Sequence, residues 1–194
     1  MKRKIISILL LIIFTNLFYT KTINSENKYI PYYFIAIHNE PFNLNDGSKL
    51  IENSYTTLKR MIERADRYSI KLTLMFSAQW ADYISKDKNR MELLEKWKKN
   101  GHEIAGHHHS IYHTNWDGYT NYPLETAQKE RMQKLTNGKG DKNITEKYFG
   151  TLKDYISMLK KINPDIKSGC MNAEEDMKEI PEEIIYETSS GYAN

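Results

Sequence analysis

Short apolar segments alternate with amphipathic helices along most of the chain, and this alternation constrains the fold more than any other feature. Five apolar or β-branched runs fit buried strands: residues 32–37, 70–76, 103–107, 167–172 and 184–187. Between the first two runs, apolar residues recur at helical spacing from Leu50 to Ala65. The pattern predicts an α/β fold built on a parallel sheet or barrel.

Capping signals mark two helix boundaries. A helix that carries Leu94 and Trp97 is expected to end at Asn100-Gly101, since glycine is favoured just past a helix end. Asn143 with Glu146 resembles a capping box, which predicts a helix from there to about residue 162. One more helix is predicted over residues 124–135.

The amino-terminal segment resembles an export signal. A basic start at residues 2–4 leads into the apolar run 5–14, which is shorter than the roughly 20 residues of a membrane span. We therefore divide the chain into a signal peptide or retained anchor at 1–25, a linker at 26–31 and an α/β domain at 32–194. An exported protein, extracellular or in the cell envelope, is expected, with membrane contact only through an uncleaved amino-terminal segment.

Charge gives no reason to expect a nucleic-acid partner. The formal net charge of +3 comes from Lys2, Arg3 and Lys4, because the other 25 basic residues equal the 25 acidic ones in number. The single cysteine, Cys170, excludes an internal disulfide, so the fold depends on its core. Since few strands are present and no final helix follows the last one, we expect an amino-terminal portion of a longer protein; a small open sheet is the alternative.

Two of the predicted strands end in potential metal ligands. The first is followed by His38, Asn39 and Glu40, and the third leads into a segment, 102–113, that holds five of the six histidines. The carboxyl ends of parallel strands meet at one face, so these side chains are expected to converge. Two imidazoles and one carboxylate form a common open metal site. His109 and His113, four residues apart, are the preferred pair, and His107 competes in another register.

The same residues carry a family resemblance. Gly101-His-Glu-Ile-Ala-Gly followed by His109-Ser-Ile-Tyr-His113 resembles the second motif of the polysaccharide deacetylase family, the NodB-homology domain. The run 70–76 followed by Ser77-Ala-Gln-Trp80 is similar to the second strand of that family. The likeness covers roughly residues 30–190. It implies a distorted (β/α) barrel, incomplete in this chain, that hydrolyses N-acetyl groups on a cell-envelope or extracellular polysaccharide, such as a peptidoglycan-like glycan.

The resemblance also implies roles for individual residues. Glu40, His109 and His113 would bind a divalent metal, with Zn²⁺ expected first and Co²⁺, Ni²⁺ or Mn²⁺ as alternatives. His38 would be the catalytic base, because the segment Ala36-Ile-His-Asn-Glu-Pro41 lacks the two aspartates that the family usually carries there. Asn39 is a weaker ligand candidate.

Aromatic and acidic residues near the cluster are candidates for sugar contact: Trp80, Trp116 and Asp117. Two alternatives to an enzyme stay open, and the altered first motif favours the first of them. One is a non-catalytic exported remnant that binds carbohydrate or metal, and the other is a metal-storage or metal-sensing histidine cluster.

Overall fold

A computed structural model describes residues 33–41, 47–113, 115–137, 148–171, 176, 179 and 181–188. Five helices lie within these ranges: α1 (Gly47–Arg67), α2 (Ala78–Ser85), α3 (Lys88–Lys99), α4 (Leu124–Thr136) and α5 (Leu152–Lys160). The five strands are β1 (Ala36–Asn39), β2 (Thr73–Phe76), β3 (Glu103–His108), β4 (Ser168–Met171) and β5 (Tyr186–Glu187). The α/β class predicted from the sequence is thus confirmed.

The strands form one parallel sheet in the order β1-β2-β3-β4-β5. In its register, His38 pairs with Met75, Phe76 pairs with Gly106, and His107 pairs with Cys170. Because every strand runs in the same direction, all the carboxyl ends lie at the same edge of the sheet. This edge carries the histidine segment.

The helices bury one face of the sheet in the main core. The buried face of α1 repeats at helical spacing and packs with the sheet residues that alternate toward it; the core includes Ile51, Tyr55, Leu58, Ile62, Leu74, Phe76 and Ile104. The opposite face of the sheet carries a small separate cluster of Met75, Ala105 and Cys170, with Ala36 packed against it. The two faces therefore differ: one packs against the helices in the main core, and the other carries only the cluster around Met75 among the buried apolar groups of the described strands.

Several predicted boundaries need correction. The first strand begins at Ala36, after exposed residues Phe34 and Ile35, rather than at residue 32. Helix α5 begins at Leu152, where Thr151 and Asp154 form the capping box, rather than at Asn143. Asn143 itself lies outside the described residues.

Other expectations agree with the structure or fall outside it. Helix α3 ends at Lys99 with Asn100 as its C-cap, and Gly101 follows with a φ of +91°, as the glycine signal predicted. The signal or anchor segment 1–25 and the linker 26–31 lie outside the described residues. Among the helices that the structure describes, none combines the length and the apolar character needed to cross a membrane.

Candidate metal centre

The site is assembled at the carboxyl ends of β1 and β3. Glu40 directly follows β1, His107 and His108 are the last two residues of β3, and His109 directly follows them. Strand β2 lies between β1 and β3 in the sheet and ends at Phe76 without a charged side chain. The Glu40 side chain can therefore reach across this short strand end to the imidazoles.

Glu40 contacts two imidazoles at once. Its Oε1 lies 3.2 Å from Nε2 of His107, and its Oε2 lies 3.0 Å from Nε2 of His109. The ligand atoms of these three residues all lie within 4.8 Å of one another. Both imidazoles are buried, whereas about half of the Glu40 side chain is exposed to solvent (53%). Three protein ligands, of which the carboxylate is accessible to solvent, fit an open metal site that leaves room for water or substrate.

Hydrogen bonding fixes the proton position on His109. The carbonyl oxygen of Asn115 lies 3.0 Å from Nδ1 of His109 and can only accept, so Nδ1 is the donor. The lone pair of Nε2 then faces the Glu40 carboxylate. Two electron-rich atoms at this distance need a cation between them, either a metal ion or a second proton. A backbone carbonyl on the far nitrogen is also the usual support of a metal-binding histidine.

His107 is held neutral by its surroundings. Burial and then the neighbouring imidazoles of His109 and His38 lower its pKa from 6.5 to about 3. A neutral imidazole is the form that binds a metal, so this environment suits a ligand. Its Nδ1 is buried and has no hydrogen-bond partner among the described residues.

His113 lies beside the site but is placed differently from His107. Its ring stacks on that of His109, with the centroids 3.9 Å apart. Its Nδ1 accepts a hydrogen bond from the backbone N–H of Asn115. Within the described ranges, the group of ligand atoms that includes Glu40 also contains His107 and His109, and His113 belongs to no group close enough for one metal. The structure therefore brings two of the three predicted ligands together, with the competing His107 as the third.

A buried charge cluster supports the histidine segment from behind. His108 Nδ1 lies 2.8 Å from Asp117 Oδ2, its Nε2 lies 3.2 Å from Asp176 Oδ2, and all three side chains are fully buried. Burial alone would lower the pKa of His108, but the two carboxylates outweigh it and raise the pKa to about 9. Asp117 Oδ2 also accepts from the backbone N–H of His109, so the cluster fixes that ligand.

The three residues predicted to contact sugar are buried. Asp117 belongs to the charge cluster, and the Trp116 indole donates to the backbone oxygen of Tyr119. The Trp80 indole donates to the backbone oxygen of Glu40 at 2.9 Å. Trp80 therefore holds the carboxylate residue in place, while its ring lines a groove.

That groove runs away from Glu40 along helix α1. It has a volume of about 750 Å³ and is bordered by His38, Glu40, Trp80, Asn115 and polar residues of α1 that include Asn53, Ser54 and Thr57. Asn39 is buried, and its Nδ2 donates to the backbone oxygens of Ile37 and Met75, so its side chain is tied to the sheet. His38 is exposed and lies between this groove and His107, with ring centroids 4.5 Å apart.

Comparison with known proteins gives no family. No protein-family description, curated protein or solved structure matches the chain. The function must therefore be argued from the site itself.

Three contributors to this region were not among the preferred residues of the sequence analysis. His107 could be recognised only as a competitor, because the choice depends on where the third strand ends. Asp176 and Cys170 come from segments more than sixty residues away, and no local pattern connects them to the histidines. Only the strand order places them here.

Proposed function

We propose that the protein is a metal-dependent hydrolase that removes N-acetyl groups from a cell-envelope or extracellular polysaccharide. The observation that carries the proposal is the position of Glu40, His107 and His109 at the end of an open groove. The resemblance to polysaccharide deacetylases in the segment 101–113 supports the substrate class. The proposal includes the barrel architecture of that family, of which the five-stranded parallel sheet would be a part.

The ligand set proposed here is Glu40, His107 and His109. Two imidazole nitrogens and one carboxylate oxygen suit Zn²⁺, and Co²⁺, Ni²⁺ or Mn²⁺ are alternatives. A bound divalent cation would supply Lewis acidity to an amide carbonyl. Nδ1 of His113 accepts a hydrogen bond from the backbone N–H of Asn115. For His113 to replace His107 as a ligand, its ring would have to turn and give up this bond.

The remaining groups around the groove have separate proposed tasks. His38 is exposed beside the ligands, and a neutral imidazole can accept a proton from water near neutral pH. The amide and hydroxyl side chains of Asn53, Ser54 and Thr57 offer hydrogen bonds to sugar hydroxyls along α1. Trp80 keeps Glu40 at the mouth of the groove through its bond to the backbone.

Metal content and acetate release from N-acetylglucosamine oligomers test the proposal together. We expect one bound metal ion at the Glu40 centre and acetate release in the wild type, with both lost in Glu40→Gln and His109→Ala. Glu95→Gln is the matched control, because Glu95 is an exposed residue of α3 paired with Lys98. Comparing His107→Ala with His113→Ala identifies the third ligand. Wild-type protein that binds no metal would overturn the proposal.

A second candidate function is a non-catalytic, exported metal- or carbohydrate-binding protein. The observation in its favour is that the metal group in the described part of the chain contains a single carboxylate, Glu40. With Glu40 on the metal, proton transfer would depend on an imidazole, since the neutral amide of Asn39 is not a base. Stoichiometric metal without acetate release would favour this second function.

A further inference from the structure

A second group of metal-ligating side chains lies next to the first and has His107 in common with it. His38, His107 and Cys170 each offer one ligand atom, and these atoms all lie within 4.8 Å of one another. The sheet register explains the grouping, because His107 on β3 is the direct partner of Cys170 on β4. His38 reaches the same face from β1, and its ring lies 4.5 Å from that of His107.

An unsatisfied atom of His107 points to a ligand in this region. Nε2 of His107 is engaged by Glu40, but Nδ1 is buried and has no hydrogen-bond partner among the described residues. Leaving such a polar atom buried and unpaired is unfavourable, because it loses its hydrogen bonds to water without gaining a partner in the protein. Because Nε2 faces the Glu40 carboxylate, which can only accept, Nδ1 carries the lone pair; a cation bound there would remove this cost, while a purely structural histidine would be expected to find a donor.

We propose that His38, His107 and Cys170 form a second metal position, which takes a borderline or thiophilic divalent cation such as Zn²⁺ and uses Nδ1 of His107. Two imidazoles and a thiolate select such ions over Mg²⁺, Ca²⁺ and Mn²⁺, which prefer oxygen ligands. Ligand atoms around tetrahedral zinc lie about 3.3–3.8 Å apart, so atoms that lie within 4.8 Å of one another need to contract by about 1.5 Å at most. The Cys170 proton goes to solvent when the thiolate binds the ion, and the N–H proton of His107 is also released when both positions are filled, so that its imidazolate bridges the two ions.

The position has an access route and a reason to be distinct from the first. His38 is exposed on the wall of the groove, so an ion can arrive from the same side as a substrate. Cys170 is buried in the small cluster with Met75 and Ala105, which shields a metal–thiolate bond from water. Neither Glu40 nor His109 is needed for this group, so the two positions can be separated by substitution.

A regulatory consequence follows, and it rests on the proposed function. A metal ion on His38 takes the lone pair that would accept a proton from water. Acetate release is therefore expected to rise with the first equivalent of zinc and to fall with the second. Cys170→Ser, which removes the thiolate but keeps the size of the side chain, is expected to abolish the fall at high zinc.

Cobalt titration of the full chain tests the second position independently of activity. We expect two Co²⁺ ions per wild-type chain and an intense thiolate-to-cobalt charge-transfer band in the near ultraviolet. Cys170→Ser should bind one ion and lack the band, whereas Glu40→Gln should lose the first ion and keep the band. His38→Gln should also lose the second ion. Because His38 is exposed, this loss cannot be attributed to misfolding, as it could be for a variant of the buried Cys170.

The outcomes separate this inference from the proposed function. One bound ion without a thiolate band in the wild type would overturn the second position and leave the Glu40 centre intact. A band that survives Cys170→Ser would overturn it as well. Wild-type protein that binds no cobalt and no zinc would overturn both proposals.

Discussion

Replacing His108 by glutamine is expected to destabilise the protein severely, although His108 is not among the proposed metal ligands. The wild-type imidazolium donates to Asp117 at 2.8 Å and to Asp176 at 3.2 Å, and none of the three side chains is exposed. Glutamine can keep one hydrogen bond but supplies no positive charge. Two buried carboxylates would then face each other without a counterion.

The size of the effect follows from the burial of the group. Removing one partner of a buried ion pair costs about 3–5 kcal/mol, because the remaining charge stays desolvated and uncompensated. The raised pKa of His108, about 9 against an ordinary 6.5, corresponds to about 3 kcal/mol of stabilisation of the charged form. Since a domain of this size is stable by only about 5–15 kcal/mol, either figure is a large share of the total.

The same pKa predicts the pH range in which the wild type loses this contribution. Below pH 6.5, His108 is protonated in both the folded and the unfolded chain, so its contribution to stability is fully present. Between pH 6.5 and about 9, the unfolded chain releases the proton while the folded chain keeps it, and the free energy of unfolding falls. Above about 9 the contribution is gone.

Urea unfolding followed by circular dichroism, at a series of pH values from 6 to 9, measures both effects. His102→Gln is the matched control: His102 is also buried, but its partner Asp66 keeps 28% of its side chain exposed, so water can compensate for the lost contact. The control is expected to lose less stability. The reasoning is refuted if His108→Gln is as stable as the control at pH 6, or if it retains the wild-type decline between pH 6.5 and 9.

Three further predictions test the loop, a helix start and the metal centre. Gly118→Ala is expected to lose at least about 2 kcal/mol by urea unfolding, because the φ of Gly118 is +92° and a Cβ would lie 1.7 Å from the Tyr148 carbonyl oxygen; an unchanged midpoint would contradict this. Thr151→Ala is expected to cost about 1 kcal/mol in thermal unfolding, since it removes the cap of α5, and Thr151→Ser should restore most of it. Zinc at about a hundred times its Kd is expected to raise the free energy of unfolding by about 2.7 kcal/mol, and a chelator should reverse this. The double variant Glu40→Gln/Cys170→Ser, which lacks a ligand of each proposed position, should show no such response.

The sequence predicted the helices that bury only one face against the rest of the protein. Helix α1 carries a clear apolar stripe from Ile51 to Ala65 because only one face meets the sheet, and the glycine after α3 marks a real left-handed residue. The sequence did not predict helix α2, because consecutive residues such as Gln79, Trp80 and Ala81 are all buried. A helix buried around its whole circumference shows no apolar stripe at the helical period. The start of α5 was displaced because two capping patterns compete within ten residues, and only tertiary packing selects Thr151.

The sequence predicts which residues lie at the edge of the sheet, but it does not predict which of them become neighbours, because that depends on the register between strands. Placing Glu40 and the histidine segment at one edge required only that strands β1 and β3 be parallel, which the strand–helix alternation indicated. Choosing His107 rather than His113 as a ligand required knowing the residue at which β3 ends. The strand continues through His108, and the chain then turns. The neighbour of His107 on β4, Cys170, depends on pairing across sixty residues that no local pattern encodes.

Side chains alternate between the two faces of the sheet along β3, so the adjacent residues His107 and His108 have different surroundings and different charge states. Gly106 and His108 face α5, since a Cβ on Gly106 would meet Leu159 and the His108 ring lies 5.7 Å from that of Tyr155. His107 faces the other way, where other imidazoles surround it. Burial lowers the pKa of His107 to about 3, while carboxylates raise that of His108 to about 9, so one is a neutral ligand and the other a structural cation. A one-residue slip in β3 would exchange these environments, and the site therefore depends on strand register as much as on residue type.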